Sequence, residues 1–147
     1  MEQAKQSLNT FLVDTFNSLL RIEEEQLSKG EFDNISVKEM HVIEIVINSK
    51  DDNSSKHIAK ELNITQGSLT TAVSTLEKKG MLIRKVYEKD KRIVKIYATE
   101  KAMKLYDYHM KFHAELVDAV TTVLTGEELE VFIRGLDKVR QFFDSKR

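Results

Sequence analysis

The chain has 147 residues with no Cys, Trp or Pro and only five Gly, which removes disulfide frameworks, thiol nucleophiles, Cys-based zinc sites and, with no G-x-G-x-x-G or G-K-[ST] run, phosphate-cradling loops. The formal net charge is −1, yet residues 1–52 carry 5 basic and 11 acidic side chains, residues 53–97 carry 10 and 4, and residues 98–147 carry 8 and 9. A basic middle segment between acidic or neutral ends is the electrostatic footprint of a nucleic-acid-facing surface that the average conceals.

From about residue 4 to residue 28, Leu8, Phe11, Leu12, Phe16, Leu19, Leu20, Ile22 and Leu27 recur with a helical period. The stripe is wide for one helix, which predicts burial on both sides. Glu2, Lys5 and Asp14 interrupt any apolar run there, so no signal peptide is expected. No stretch approaches the roughly 20 apolar residues of a membrane span. A soluble, cytoplasmic, mostly helical protein with no membrane partner follows as the expectation. A loop is expected at "SKGEFDN", residues 28–34. Ser36 then caps a second helix, and Glu39 completes a capping box. Its apolar face is Val37, Met40, Val42, Ile43, Ile45, Val46 and Ile47. Ser54 or Ser55 caps a short third helix containing Ile58, Ala59 and Leu62. Asn63 and Ile64 make a tight turn, Thr65 caps a fourth helix, and Leu69, Ala72, Val73 and Leu76 face its core side. Gly80, after Lys78 and Lys79, is the natural stop. "MLIRKVY" (81–87) and "RIVKIYA" (92–98) read as a hairpin with a charged tip at Glu88–Lys91. Thr99 starts a long helix to about Leu124, and Thr125 with Glu128 caps a last one through Phe143.

The order is helix–helix–helix–helix–hairpin–helix–helix: mainly α with a small β-hairpin wing. A short helix, a tight turn, a second helix and a two-stranded wing is the winged helix-turn-helix plan, whose second helix enters the major groove of DNA. The fourth helix is dense in Gln66, Ser68, Thr70, Thr71, Ser74 and Thr75, although Ser and Thr are only middling helix formers. Short hydroxyls and a carboxamide reach base edges and phosphates at close range, so Gln66, Ser68, Thr70, Thr71 and Ser74 are the candidate groove contacts. The alternative is a solvated face that happens to be rich in Ser and Thr. Ser36, Lys38, Ser55 and Lys78 are further candidate DNA contacts, and Lys89, Lys91 and Arg92 at the wing tip suit phosphates or a neighbouring minor groove. Asp90 repels DNA, and its sensible role is to orient Arg92 by a charge-assisted hydrogen bond. The plainer reading of the tip is a hairpin turn with its charges in water.

The run "LEKKGMLIRKVYEKDKRIVKIYATEKA" (76–102) resembles the MarR family of bacterial regulators. The matching parts are the L-E-x-K-G end of the recognition helix, the D-x-R wing at Asp90 and Arg92, and "ATEKA" opening the next helix, where Ala102 replaces the usual Gly. The resemblance implies a homodimer whose first, fifth and sixth helices interlock and which places one winged helix on each half of a palindromic double-stranded DNA site. On that plan residues 1–30 and 99–147 form the helical dimerisation region and residues 31–98 the DNA-binding region. "IEE" (22–24), "ISVKEMHVIEIV" (35–46) and "KFH" (111–113) are similar to the FabT-type repressors of fatty-acid synthesis, which implies long-chain acyl–acyl carrier protein as a corepressor and no required cofactor.

An acyl ligand needs a long apolar tunnel with one polar end, and Phe11, Phe16, Leu19, Met40, His41, Ile43, Met110, Phe112 and His113 are its candidate lining. The same residues also read as plain core. His109 and His113 stand at i and i+4, the spacing at which two imidazoles share one zinc. By resemblance to zinc-sensing relatives, Glu24 (or Glu23) and His41 would complete the set, which leaves a zinc-responsive regulator as the rival to the lipid-responsive one. An enzyme is not expected, because Glu23–Glu25 cannot all face one site on a helix and no Ser or Thr has an evident base partner. A pure protein-interaction module leaves the basic wing without a use.

Overall fold

The computed structural model describes residues 1–28, 32 and 34–146, and the loop expected at 28–34 lies largely outside them. Among the described residues, six helices and one hairpin follow in the expected order: α1 (Glu2–Leu27), α2 (Val37–Asn48), α3 (Ser55–Glu61), α4 (Gln66–Lys78), β1 (Leu82–Val86), β2 (Val94–Ala98), α5 (Glu100–Thr121) and α6 (Gly126–Asp144). They form two compact units, Met1–His109 and Met110–Arg147, with α5 running through both. Among the described residues no helix is long and apolar enough to cross a membrane.

Local chemistry explains where the helices begin and end. Ser36 Oγ accepts from Glu39 N while Glu39 Oε2 accepts from Ser36 N at 2.8 Å, closing the capping box at α2. Ser54, rather than Ser55, caps α3 by accepting from His57 N. Asn63 then turns the chain at φ 53, in the left-handed region that Asn tolerates better than most residues. Helix α4 stops in a complete Schellman motif. Gly80, at φ 74, donates to Glu77 O, and Met81 N donates to Leu76 O at 2.8 Å. Leu76 and Met81, the apolar pair that accompanies this motif, are both fully buried.

The core of the first unit is the inner face of the winged helix: Met40, Ile43, Ile58, Leu69, Val73, Leu76, Met81, Leu82, Ile96 and Leu105 are essentially inaccessible. The hairpin is antiparallel, in the register Leu82↔Ala98, Arg84↔Ile96 and Val86↔Val94. Both strands are shorter than expected. Met81 is spent in ending α4, and Tyr87 to Ile93 form a reverse turn, with Tyr87 N donating to Ile93 O and Ile93 N to Asp90 O. The segment before α3 lies along β2: Ile96 N donates to Asn53 O, and Asn53 Nδ2 returns a bond to Ile96 O.

Further hydrogen bonds knit the ends of these elements together. Lys79 Nζ donates to both carboxylate oxygens of Glu39, at 2.7 and 2.8 Å, and to Asn34 O. Thr99, ahead of α5, donates to Gly80 O at 2.7 Å and accepts from Ala102 N. Lys101 Nζ donates to Lys79 O. Burial pushes the Glu39 carboxyl upward, but the hydrogen bonds from Lys79 and Ser36 outweigh it and hold the pKa below the ordinary value.

Helix α1 departs from the expectation of burial on both sides. Only Glu23 and Leu27 are buried, while Leu8, Phe11, Val13, Phe16 and Leu20 are exposed, because the single chain packs only the C-terminal end of this helix. In the second unit, Thr125 and Glu128 close the capping box of α6, and no residue of that helix is buried. Leu116, Val117, Val120 and Thr121 of α5 and Leu129, Phe132, Ile133 and Leu136 of α6 line an apolar groove of about 290 Å³.

Candidate nucleic-acid interface

With Leu69, Val73 and Leu76 turned into the core, α4 presents Gln66, Ser68, Thr70, Thr71 and Thr75 outward. Its positive end is unencumbered by carboxylates, since no acidic residue lies in the first turn. Thr65 Oγ1 accepts from Ser68 N at 3.1 Å, and its hydroxyl donates to Ser68 Oγ. The other hydroxyls bond back to the helix. Thr70 donates to Gln66 O at 2.8 Å, Thr71 to Gly67 O at 3.2 Å, Ser74 to Thr70 O at 2.8 Å and Thr75 to Thr71 O at 3.1 Å. A carbonyl only accepts, so each of these hydroxyls has committed its one proton. What the three threonines turn outward is a methyl group and an acceptor lone pair. Gln66 retains an amide donor, and it alone among the groove candidates combines donor and acceptor in one planar group.

Ser74 is partly buried, and its oxygen also accepts from Arg84 Nη2 at 3.1 Å. Arg84 was not a sequence candidate, since a lone Arg in a strand carries no signal of its partner. It donates to Glu77 through Nε (2.9 Å), Nη2 (2.6 Å) and its backbone N (2.9 Å). These bonds lower the Glu77 pKa, the Arg84 side chain being the largest cause.

The wing tip has a second pair of the same chemistry. Asp90 Oδ1 accepts from the backbone N and Nε of Arg92, both at 3.0 Å, and Oδ2 accepts from Nη2 at 2.9 Å. The hydrogen bonds from Arg92 hold Asp90 below its ordinary pKa and raise that of Arg92. The Arg92 side chain remains 90% exposed, so the pair orients the guanidinium without withdrawing it from solvent. Lys89 and Lys91 are exposed beside it. Between α3, the start of α4 and the wing lies an open groove of about 570 Å³, lined by Ser54, Ser55, Lys56, Gln66, Tyr87, Arg92 and Lys95 among others. Of the remaining candidates, Lys38 and Lys78 are exposed, and the Ser36 hydroxyl is engaged in its capping box.

The proposed sensor residues differ in burial. Met40 and Ile43 are fully buried core, Phe11, Phe16, His41 and Met110 are exposed, and Leu19, Phe112 and His113 are partly buried. The rings of Phe112 and His113 lie 5.5 Å apart. His109 is buried with Nε2 4.0 Å from Glu23 Oε1. The carboxylate beside His109 is therefore Glu23. Glu24, one residue further along α1, is rotated by about 100° and exposed. Of the two glutamates the sequence left open, Glu23 is thus the one beside His109, while His41 is exposed on α2.

Comparison with known proteins accords with this geometry. Residues 35–94 match the model of the MarR family. The chain is 33% identical over 101 residues to the HTH-type transcriptional regulator MhqR of Bacillus subtilis (strain 168), covering 69% of each protein. It resembles the crystal structure of Streptococcus pneumoniae FabT in complex with DNA at a TM-score of 0.88 and 35% identity, covering 97% of this chain and 99% of that one. The S. aureus MepR–DNA complex, at 20% identity and a TM-score of 0.70 over 91% of this chain and 95% of that one, shares the fold. The chain belongs to the MarR family and is a DNA-binding transcriptional regulator, not an enzyme.

Proposed function

We propose that this regulator is a homodimeric repressor of fatty-acid synthesis genes that binds a palindromic operator more tightly in the presence of long-chain acyl–acyl carrier protein. The observation that carries this reading is the likeness to FabT along almost the whole chain, together with the FabT-like "ISVKEMHVIEIV" of α2. Exposed apolar side chains on α1 and the apolar groove between α5 and α6 support a partner subunit, since surfaces of this kind mark interaction sites. Residues 1–30 and 99–147 are assigned to dimerisation and residues 31–98 to DNA, with no cofactor required. Gln66, Ser68, Thr70 and Thr71 read the major groove, while Lys89, Lys91 and Arg92 hold the backbone or minor groove.

The test is a titration of DNA from the gene's own upstream region, with and without the acylated carrier protein, and again with zinc. Tightening by the acylated carrier alone is expected; a response to zinc alone would replace the lipid reading. The zinc reading has one observation in its favour, the burial of His109 beside Glu23.

The back-bonded hydroxyls sharpen the specificity expectation. A methyl and a lone pair suit the thymine methyl and the amino donors of adenine N6 and cytosine N4, whereas guanine offers acceptors only on its major-groove edge. Thr71→Ala should therefore lose about 1–3 kcal/mol of discrimination at one or two base pairs and little elsewhere. Ser68→Ala is expected to behave similarly at a different position. Competition binding against single-base operator variants measures this, and a uniform loss across all variants would remove both residues from base readout.

A further inference from the structure

We infer that Arg84 is a positioning residue for DNA recognition, which, through Glu77 and Ser74, locks the base of the wing to the recognition helix and so fixes where Arg92 lands. The inference rests on the assignment of α4 and Arg92 to DNA given above.

The register places Arg84 on the same face of β1 as the buried Leu82, opposite the buried Ile96. That face looks onto α4, where Ser74 and Glu77 are neighbours one turn apart. Four hydrogen bonds leave Arg84 for α4: three to the Glu77 carboxylate and one to Ser74 Oγ, which in turn donates to Thr70 O. A continuous polar link thus runs from the strand to the backbone of the helix turn that carries the groove-facing residues. Its side chains are about one third exposed, 35% for Arg84 and 29% for Glu77, whereas Arg92 is 90% exposed. The two Arg–carboxylate pairs divide the work accordingly. Asp90 and Arg92 are two residues apart and orient one side chain; Glu77 and Arg84 join two elements and orient the hairpin.

The hairpin needs such a joint because a lone two-stranded hairpin has little stability of its own. The strand ends two residues beyond Arg84 and the turn folds back from there, which puts the tip roughly 10–15 Å away at about 3.3 Å per strand residue. A tilt of about 10° at the base moves the tip by roughly 2 Å, most of the length of a hydrogen bond. On the other strand, β2 is tied down through Asn53. Among the described residues, the hydrogen bonds that reach the recognition helix itself start from β1. The guanidinium grips Glu77 Oε2 through Nε and Nη2 while Nη2 also touches Ser74; an ammonium is a single point and cannot hold the same geometry.

A double-mutant cycle tests the inference, reading operator affinity for the unsubstituted protein, Arg84→Lys, Arg92→Ala and the pair. Arg84→Lys keeps the charge and should still weaken binding roughly tenfold per half-site, as Arg92→Ala does, with the doubly substituted protein little weaker than either single one, because an unlocked wing no longer delivers Arg92. If the two losses multiply, Arg84 merely supports the fold and the inference is overturned. Thermal unfolding of each variant accompanies the cycle, and Glu77→Gln, which cuts the same link from the helix side, supplies a second cycle should Arg84→Lys fail to fold. Failure of the unsubstituted protein to bind any operator would instead sink the assignment on which the inference rests.

Discussion

Leu76→Ala is expected to lower the unfolding free energy by roughly 2–5 kcal/mol, the range for emptying a fully enclosed leucine site. Leu76 is wholly inaccessible and belongs to the core cluster of the winged helix. It is also the residue whose carbonyl accepts from Met81 N in the Schellman motif, so its side chain packs where α4 ends and the wing begins. Domains of this size are held by about 5–15 kcal/mol, so one such substitution removes a large part of the margin. Operator binding should fall with it, since the turn into β1 loosens. Denaturant titration measures the loss, with Thr75→Ala, exposed on the same helix, as a control expected to stay within about 0.5 kcal/mol apart from its small gain in helix propensity. A loss under about 1 kcal/mol at Leu76 would show that the neighbouring side chains close over the gap.

Arg92→Ala carries the second large effect. Loss of a charged phosphate or minor-groove contact should weaken binding on the order of tenfold per half-site and nearly uniformly across operator variants, while the slope of log affinity against log salt falls by about 1 for each half-site. Asp90→Ala separates orientation from charge. Removing an anion near DNA should strengthen binding if net charge alone matters. Because Asp90 holds Arg92 through three hydrogen bonds, the expected result is weaker binding instead. An unchanged titration for Arg92→Ala would remove the wing from the interface, and tighter binding by Asp90→Ala would reduce Asp90 to a repulsive charge.

What could be read from the sequence was governed by distance along the chain. The capping boxes at Ser36–Glu39 and Thr125–Glu128, the Thr65 cap and the Gly80 stop each depend on residues no more than five apart, and a spacing rule captures them. The inward set of Leu69, Val73 and Leu76 follows from the helical period alone. The strand ends were less legible. Tyr87 and Ile93 are good strand residues by propensity, but the turn centred on Asp90 draws both out of the ladder. Pairings between elements carried no signal. Lys79 and Glu39 are 40 residues apart, and Arg84 meets Glu77 only after the chain has reversed at Gly80. The choice between Glu23 and Glu24 turns on the rotation of α1 against α5, which periodicity left open because apolar residues lie almost all round that helix.

The back-bonded hydroxyls of α4 have a consequence for the entropy of recognition. A lysine or glutamine that meets DNA must give up several rotamers at the moment of contact, at about 0.5–1.5 kcal/mol for each such side chain. Thr70, Thr71, Ser74 and Thr75 have one heavy-atom torsion apiece, and a bond to the carbonyl one turn earlier already holds it in the free protein. Little freedom remains for the groove to take away. A helix surface poor in helix propensity is, for that reason, a surface that arrives at DNA already ordered.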